Sequence, residues 1–233
     1  MPTRTFDRIA HRDEVRIRVE DLRPLITEDK ERSIYLHRNW LAREIFWQRL
    51  DEVYRLARNI TDTQRCLDLG GGTGVLAKSC ARLFTEYFIV DTDAEDARRV
   101  CEKFKLSNVQ VLAEDIFSYS PTQPFDVVLA ADVLEHFKDI DRIAATLTQL
   151  VRPGGWLIIS QPTENWIYEF GRKIINKTKP ADHYHNSKTV FKKLEDHGFV
   201  RDTSHWIPSF GIPIPLFEIG KLRFSGSVIK NSK

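Results

Sequence analysis

Residues 66 to 77 read CLDLGGGTGVLA: an apolar run, a glycine loop and the start of a second apolar run. Gly70, Gly71, Gly72 and Gly74 fall within five positions. Glycine turns a chain tightly because it lacks a Cβ, but four exceed what a turn alone needs. Between a strand and a helix, such a loop lets the backbone approach a ligand at the positive end of the helix, where bare N–H groups point outward. In open α/β sheets the ligand crevice lies at the carboxyl ends of the strands. The loop therefore constrains the fold and the kind of site together.

The surrounding rhythm agrees. Short apolar runs predict strands at Arg65–Leu69, Tyr87–Val90, Val109–Leu112, Phe125–Ala130 and Trp156–Ser160. Helical spacing predicts helices near Val75–Phe84, Ala94–Phe104, Ile140–Val151 and Ser187–Asp196. Pro153-Gly154-Gly155 is expected to stop a helix and start a strand. Strand–helix alternation of this kind argues for a doubly wound, mostly parallel α/β sheet. Upstream, Ile34, Trp40, Leu41, Ile45, Phe46, Leu50, Val53 and Tyr54 recur at helical spacing and predict one or two amphipathic helices. Residues before about 30 are charge-rich and are read as poorly constrained. The tail holds further strands around Phe199–Trp206 and Leu216–Phe224.

On the loop alone two cofactor classes compete. Residues 72 to 77, G-T-G-V-L-A, fit the G-x-G-x-x-A form of nicotinamide and flavin enzymes. Asp91 ends the second strand, 17 residues after Gly74. An acidic residue there accepts the ribose hydroxyls that either cofactor presents.

The fuller pattern separates them. Asp68-Leu-Gly70-Gly-Gly72-Thr-Gly74 resembles the D-x-G-x-G-x-G signature of class I methyltransferases at every defined position. Asp91 after the second strand, Glu114-Asp115-Ile116 after the third and FDVVLAADVLEHF at the fourth resemble the same family. The resemblance covers Arg65 to Ser160 well and the flanks loosely. It implies a Rossmann-like, mostly parallel seven-stranded sheet with an antiparallel hairpin strand and an N-terminal helical lid. It implies S-adenosylmethionine as cofactor, with S-adenosylhomocysteine as product. Gly70 and Gly72 then admit the methionine part, and carbonyls near Gly70 and Ala131 accept from its ammonium group. Asp68 orients the loop or adds negative charge. Asp91 takes both ribose hydroxyls, Asp115 the adenine amine and the Ile116 N–H the ring, with Thr92 beside it. Gly74 completes the motif. The alternatives kept beside this reading are a nucleotide-dependent (NAD or FAD) oxidoreductase and a protein that binds the cofactor without turnover.

The segment Asp132-Val-Leu-Glu135-His136 follows the fourth strand and has three readings. It lines the methionine end without reacting, or His136 is a general base, since imidazole titrates near neutrality, or Asp132, Glu135 and His136 hold a divalent metal. The last order resembles the E-x-x-E-H segment of quinone-biosynthesis O-methyltransferases. Here the first residue is a shorter Asp, and no metal is expected. Methyl transfer needs little acid–base help, because placement of the nucleophile does most of the work.

The acceptor site is expected outside the core fold: in residues 1–60, read as the helical extension to a methyltransferase domain at 61–233, and in insertions at 161–186 and 207–217. His183 or His185 is an alternative base, and Asn186 or Ser187 a helix cap. Residues 166–179, WIYEFGRKIINKTK, read as a lid helix or as a basic amphipathic helix on a membrane surface. The expected acceptor is a small or lipid-like molecule methylated at oxygen. With 35 basic against 33 acidic residues there is no whole-chain drive toward nucleic acid. The aromatics Trp40, Phe46 and Trp47 are read as core rather than as a base-stacking surface. Cys66, Cys80 and Cys101 form no C-x-x-C and fit a reducing, cytoplasmic setting. No secretory h-region or membrane-spanning run is seen.

Overall fold

The computed structural model describes residues 12–27, 32–163, 183–208 and 215–226. It divides into two compact units between Asp115 and Ile116.

The first unit contains α1 (Arg12–Val15), α2 (Val19–Leu22), a 3-10 turn (Arg32–Leu36), α3 (Trp40–Arg58), β1 (Arg65–Leu69), α4 (Ala77–Cys80), β2 (Glu86–Asp91), α5 (Glu95–Lys103) and β3 (Val109–Ala113). Its strands are parallel in the order β3-β2-β1, with Asp68 opposite Ile89 and Asp91 opposite Ala113. β1 and β2 are almost wholly buried, which is why they read as continuous apolar runs rather than alternating ones. The α4 helix is shorter than its periodicity suggests. It covers four residues and tightens into a 3-10 turn at Ala81–Leu83.

Asn39 caps α3, its side-chain oxygen accepting from the N–H groups of Leu41 and Ala42. The buried face carries Trp47, Leu50, Val53, Tyr54 and Ala57. Trp40 and Leu41 depart from the core reading: Trp40 is 68 % exposed and Leu41 39 %. The apolar stripe meets its neighbours only from Ala42 onward, so the first turn projects beyond them.

Residues 12–27 depart from expectation too. Val15, Ile17, Leu22 and Ile26 are buried. Arg16 bridges Glu44 and Asp51 of α3, at 2.6 Å to each. Thr27 donates through its N–H and its hydroxyl to Asp96 of α5, and Arg99 Nε donates to the Leu25 carbonyl. Of the charges that made this segment look unconstrained, Arg16 and Glu14 have fixed partners, Glu14 accepting from Arg82 and from the Tyr54 hydroxyl.

The second unit contains β4 (Phe125–Ala131), a 3-10 turn (Leu134–His136), α6 (Ile140–Leu150), β5 (Val151–Pro162), α7 (Ser187–Asp196), β6 (Phe199–Ile207) and β7 (Phe217–Phe224). The order is β4-β5-β7-β6, and β7 alone runs against its neighbours. Asp139 caps α6, and Asn186 rather than Ser187 caps α7. β5 begins five residues earlier than read from the sequence. Phe125 pairs with Val151 and Val127 with Trp156, so Pro153-Gly154-Gly155 is an excursion inside the strand. A Cβ on Gly155 would lie 2.9 Å from the Arg152 carbonyl oxygen and 3.0 Å from that of Asp126, which restricts the site to glycine.

Among the described residues seven strands, parallel except at β7 and flanked by helices, make the expected Rossmann-like α/β class with N-terminal helices. Among the described residues no helix is long and apolar enough to cross a membrane. The basic stretch 166–179 and residues 209–214 of the second proposed insertion lie outside the described residues.

Candidate functional site: a glycine cradle and a histidine pair

In the first unit β1 ends at Leu69 and the chain enters the glycine loop. Gly70, Gly72 and Gly74 have φ of 64°, 49° and 71°, the left-handed region that side chains with a Cβ avoid. Gly71 is demanded by space instead. A Cβ there would lie 2.8 Å from Ile89 Cγ2 and 3.0 Å from Asp68 Oδ2. A Cβ on Gly74 would lie 2.9 Å from Ala97 Cα, so this glycine brings α4 close to α5. Gly70 N–H donates to the Val90 carbonyl at 2.8 Å, tying the loop to the end of β2.

Asp91 anchors the loop. Its Oδ2 accepts from the Gly72 N–H at 2.8 Å, and its Oδ1 from the Asp93 N–H at 2.9 Å. Each oxygen keeps acceptor capacity, since an ionised carboxylate offers about four lone-pair sites. Thr92, Ala113, Glu114 and Asp115 are exposed at the carboxyl ends of β2 and β3, with Glu114 N–H on the Asp91 carbonyl at 3.1 Å.

Asp68 lies beneath this loop, 1 % exposed, and accepts from the buried Tyr87 hydroxyl at 2.8 Å. Burial pushes its carboxyl up to about 7; the Tyr87 bond pulls down and the Asp91 charge pushes up further. Tyr87 itself is raised well above its usual range by the same burial and by Asp68. The three cysteines are buried and form no disulfide; burial pushes the thiols of Cys80 and Cys101 up, so these two stay protonated.

In the second unit β4 ends at Ala131, and Asp132 follows with φ 56°. Its strained backbone is held from two sides. Its N–H donates to the Ser160 carbonyl, and its carboxylate accepts from the Ser160 hydroxyl, both at 2.9 Å. The next turn presents buried Glu135 and half-buried His136. The chain returns at residue 183 and is laid along this turn: Tyr184 N–H donates to the Glu135 carbonyl at 2.9 Å, and His185 Nε2 lies 3.3 Å from the Lys138 carbonyl. This brings His183 against His136, ring centroids 4.7 Å apart and nearly perpendicular. One carboxylate oxygen of Glu135 and one nitrogen of each histidine lie within 4.8 Å of one another. Of the three residues considered as metal ligands, Glu135 and His136 are thus grouped with His183, while Asp132 turns to Ser160. Ile116 is 5 % exposed, and Ala131 pairs with Ser160 in the β4–β5 ladder.

Comparison with known proteins bears on what this arrangement serves. The family model described as "Methyltransferase domain" matches residues 37–204. The chain belongs to this methyltransferase family. A ubiquinone biosynthesis O-methyltransferase from Serratia proteamaculans is 30 % identical over 164 residues, covering 66 % of this chain and 67 % of that protein. Another, from Bradyrhizobium sp., is 31 % identical over 105 residues, 44 % of this chain; the match spans about two fifths (41 %) of that protein. The N-methyltransferase NodS from Bradyrhizobium japonicum, solved with S-adenosylhomocysteine, superposes with a TM-score of 0.65 at 19 % identity, over 88 % of this chain and 96 % of that one. That likeness establishes the fold.

The family match decides the competition posed by the glycine loop in favour of a methyltransferase over an oxidoreductase, and with it of the expected cofactor, S-adenosylmethionine. The first-unit residues fit that cofactor. It has no diphosphate for a helix N-terminus to grip, and a four-residue α4 offers little dipole. What the methyltransferase does provide is a loop kept bare of side chains and an acid at its rim. Gln161, at the end of β5, escaped the sequence reading. It is fully buried, donates to the Ser160 carbonyl at 2.8 Å and has an Oε1 with no hydrogen-bond partner among the described residues. A glutamine closing an apolar strand carries no motif, and only its burial singles it out.

Proposed function

We propose that this methyltransferase moves the methyl group to an oxygen of a small-molecule or lipid-like acceptor, and that His136 with His183 receives the acceptor's proton. The observation that carries the reading is the edge contact of the two imidazoles at 4.7 Å beside buried Glu135. The O-methyltransferase names of the Serratia and Bradyrhizobium relatives support oxygen as the acceptor atom.

Bound S-adenosylmethionine supplies an electrophilic methyl on a sulfonium that departs as a neutral thioether. The chain's own residues bind, orient and handle the proton. Asp68, Gly70, Gly72 and Gly74 shape the loop for the methionine part. In the first unit Asp91 receives the ribose hydroxyls, Thr92 flanks the rings and Asp115 accepts from the adenine amine; in the second, the Ile116 N–H serves the ring and the Ala131 carbonyl the ammonium. A hydroxyl is a weak nucleophile, and a base with a near-neutral pKa raises its reactivity as it attacks. An imidazolium formed at His136 or His183 has the Glu135 carboxylate within 4.8 Å to stabilise it.

A second reading rests on the same grouping. A carboxylate and two imidazoles are a ligand set for a divalent cation, which would act as a Lewis acid on the acceptor hydroxyl.

The experiment is turnover of labelled S-adenosylmethionine with phenolic and isoprenoid hydroxyl compounds beside matched amines, with products read by mass spectrometry. O-methylated product is expected, with kcat lowered by about 10² or more in His136→Gln. Products at nitrogen alone, or an unchanged kcat in the variant, overturn the proposal. Loss of activity on dialysis against a chelator, restored by Mg²⁺ or Zn²⁺, selects the metal reading; insensitivity to the chelator selects the base.

A further inference from the structure

A cavity of about 630 Å³ opens in the first unit between the N-terminal segment and α3. Its lining includes neither the glycine loop nor Asp68 nor Asp91, so it is separate from the cofactor cradle. Its size is that of a site for a small organic molecule. Three aromatic side chains, Trp40, Trp47 and Phe104, and three cations, Arg18, Arg43 and Lys78, are among its walls.

The aromatic wall is rigid on one side and open on the other. Trp47 is 6 % exposed and stands against Tyr35 at 4.8 Å between ring centroids. Trp40 is 68 % exposed in the first turn of α3, a large apolar surface left to water.

The charges are unequally matched. Arg16 is neutralised by Glu44 and Asp51. Arg43 spends its guanidinium on the carbonyls of His37 and Arg38, which are neutral. Lys78 donates to the Arg16 carbonyl at 2.8 Å. Arg18 makes no side-chain hydrogen bond or ion pair among the described residues. Asp21 is the remaining carboxylate in the lining. Two guanidinium groups, Arg18 and Arg43, thus meet no carboxylate at a cavity with flat apolar walls. A guanidinium fork suits a planar or tetrahedral oxyanion, and an indole suits a flat ring.

We propose that this cavity is a second ligand site of the enzyme, which takes a small aromatic anion: a flat apolar body stacked against Trp40, bearing a carboxylate, sulfonate or sulfate held by Arg18 and Arg43. A ligand placed there joins the 16–19 segment to α3 and α4, so it also clamps the N-terminal segment.

The test is calorimetric titration of the whole chain with naphthalene-2-sulfonate, with quenching of tryptophan fluorescence as a second readout. One saturable site is expected. Affinity falls about tenfold in Arg18→Gln and again in Trp40→Ala. Both side chains are exposed, and circular dichroism together with unchanged binding of S-adenosylhomocysteine shows that the variants fold. Neutral 2-naphthalenemethanol and inorganic sulfate each bind at least about tenfold more weakly, because each lacks half of the recognised chemistry. Three results overturn the proposal: no saturable binding, binding indifferent to both variants, or displacement of the probe by S-adenosylhomocysteine, which would move it to the cofactor cradle.

Discussion

The Tyr87 hydroxyl donates to Asp68 Oδ2 across 2.8 Å in a pair from which water is excluded. Tyr87 comes from β2 and Asp68 from β1, and the pair sits under the loop that Asp91 holds from above through Gly72. Burial at the acidic first position of the glycine motif keeps this carboxyl protonated to a higher pH than a free one.

That arrangement makes stability depend on pH. The unfolded Asp68 ionises near pH 4, whereas the folded carboxyl holds its proton up to about 7. Between those values the unfolded state releases a proton that the folded state keeps, so this group's contribution falls as pH rises, and it levels off above 7. Asp68→Asn is expected to remove that slope, gaining at pH 8 relative to pH 5 against the parent chain. Urea unfolding at the two pH values measures it; an identical slope in both proteins contradicts the assignment.

Asp91→Ala takes the acceptor from the Gly72 and Asp93 N–H groups and, on the function proposed above, from the ribose. Loss of charge-assisted hydrogen bonds of this kind costs about 1.5–3 kcal/mol each, so affinity for S-adenosylhomocysteine should fall by at least about 100-fold in calorimetry. Asp91→Asn, which keeps one acceptor oxygen, should fall between. Retained affinity in Asp91→Ala would remove Asp91 from the site.

Gly74→Ala places a methyl 2.9 Å from Ala97 Cα in a residue with φ 71°. Left-handed backbone costs about 1–2 kcal/mol and overpacking about 1–3 more. Thermal unfolding should show a lowered Tm in Gly74→Ala, whereas Gly72→Ala, whose Cβ would meet only Gly70 O at 3.8 Å and Asp91 Oδ2 at 3.9 Å, should lose the backbone part alone.

Leu22→Ala tests whether the N-terminal segment belongs to the core. Leu22 is wholly buried in α2, and a cavity of that kind costs about 2–5 kcal/mol. A loss below about 0.5 kcal/mol, the range of surface substitutions, would mean that residues 12–27 contribute no core.

Much of the fold was legible because its signals are local. The apolar runs of β1, β2, β4 and β5, the left-handed glycines at 70, 72 and 74, and the acid at 91 all lie within or beside single elements. The same holds for the tail strands and for Asn186 as a cap. Legibility failed where local signals compete. Pro153-Gly154-Gly155 reads as a stop, yet the strand resumes past it because Val151 already pairs with Phe125. Trp40 shares the helical spacing of Trp47 but lies one turn beyond the reach of the core, and periodicity carries no information about where packing partners end.

What the sequence by itself determined is the glycine loop with its acid at 91 and the order of the main strands and helices, since each rests on contiguous residues whose backbone needs and alternation are visible in place. The tertiary structure decided which distant side chains meet. Arg16 reaches Glu44 and Asp51, Thr27 reaches Asp96, Tyr87 reaches Asp68, and His183 reaches His136 across 47 positions of chain. Such pairings depend on how elements pack in three dimensions, and a one-dimensional pattern of polarity is the same whether or not they form.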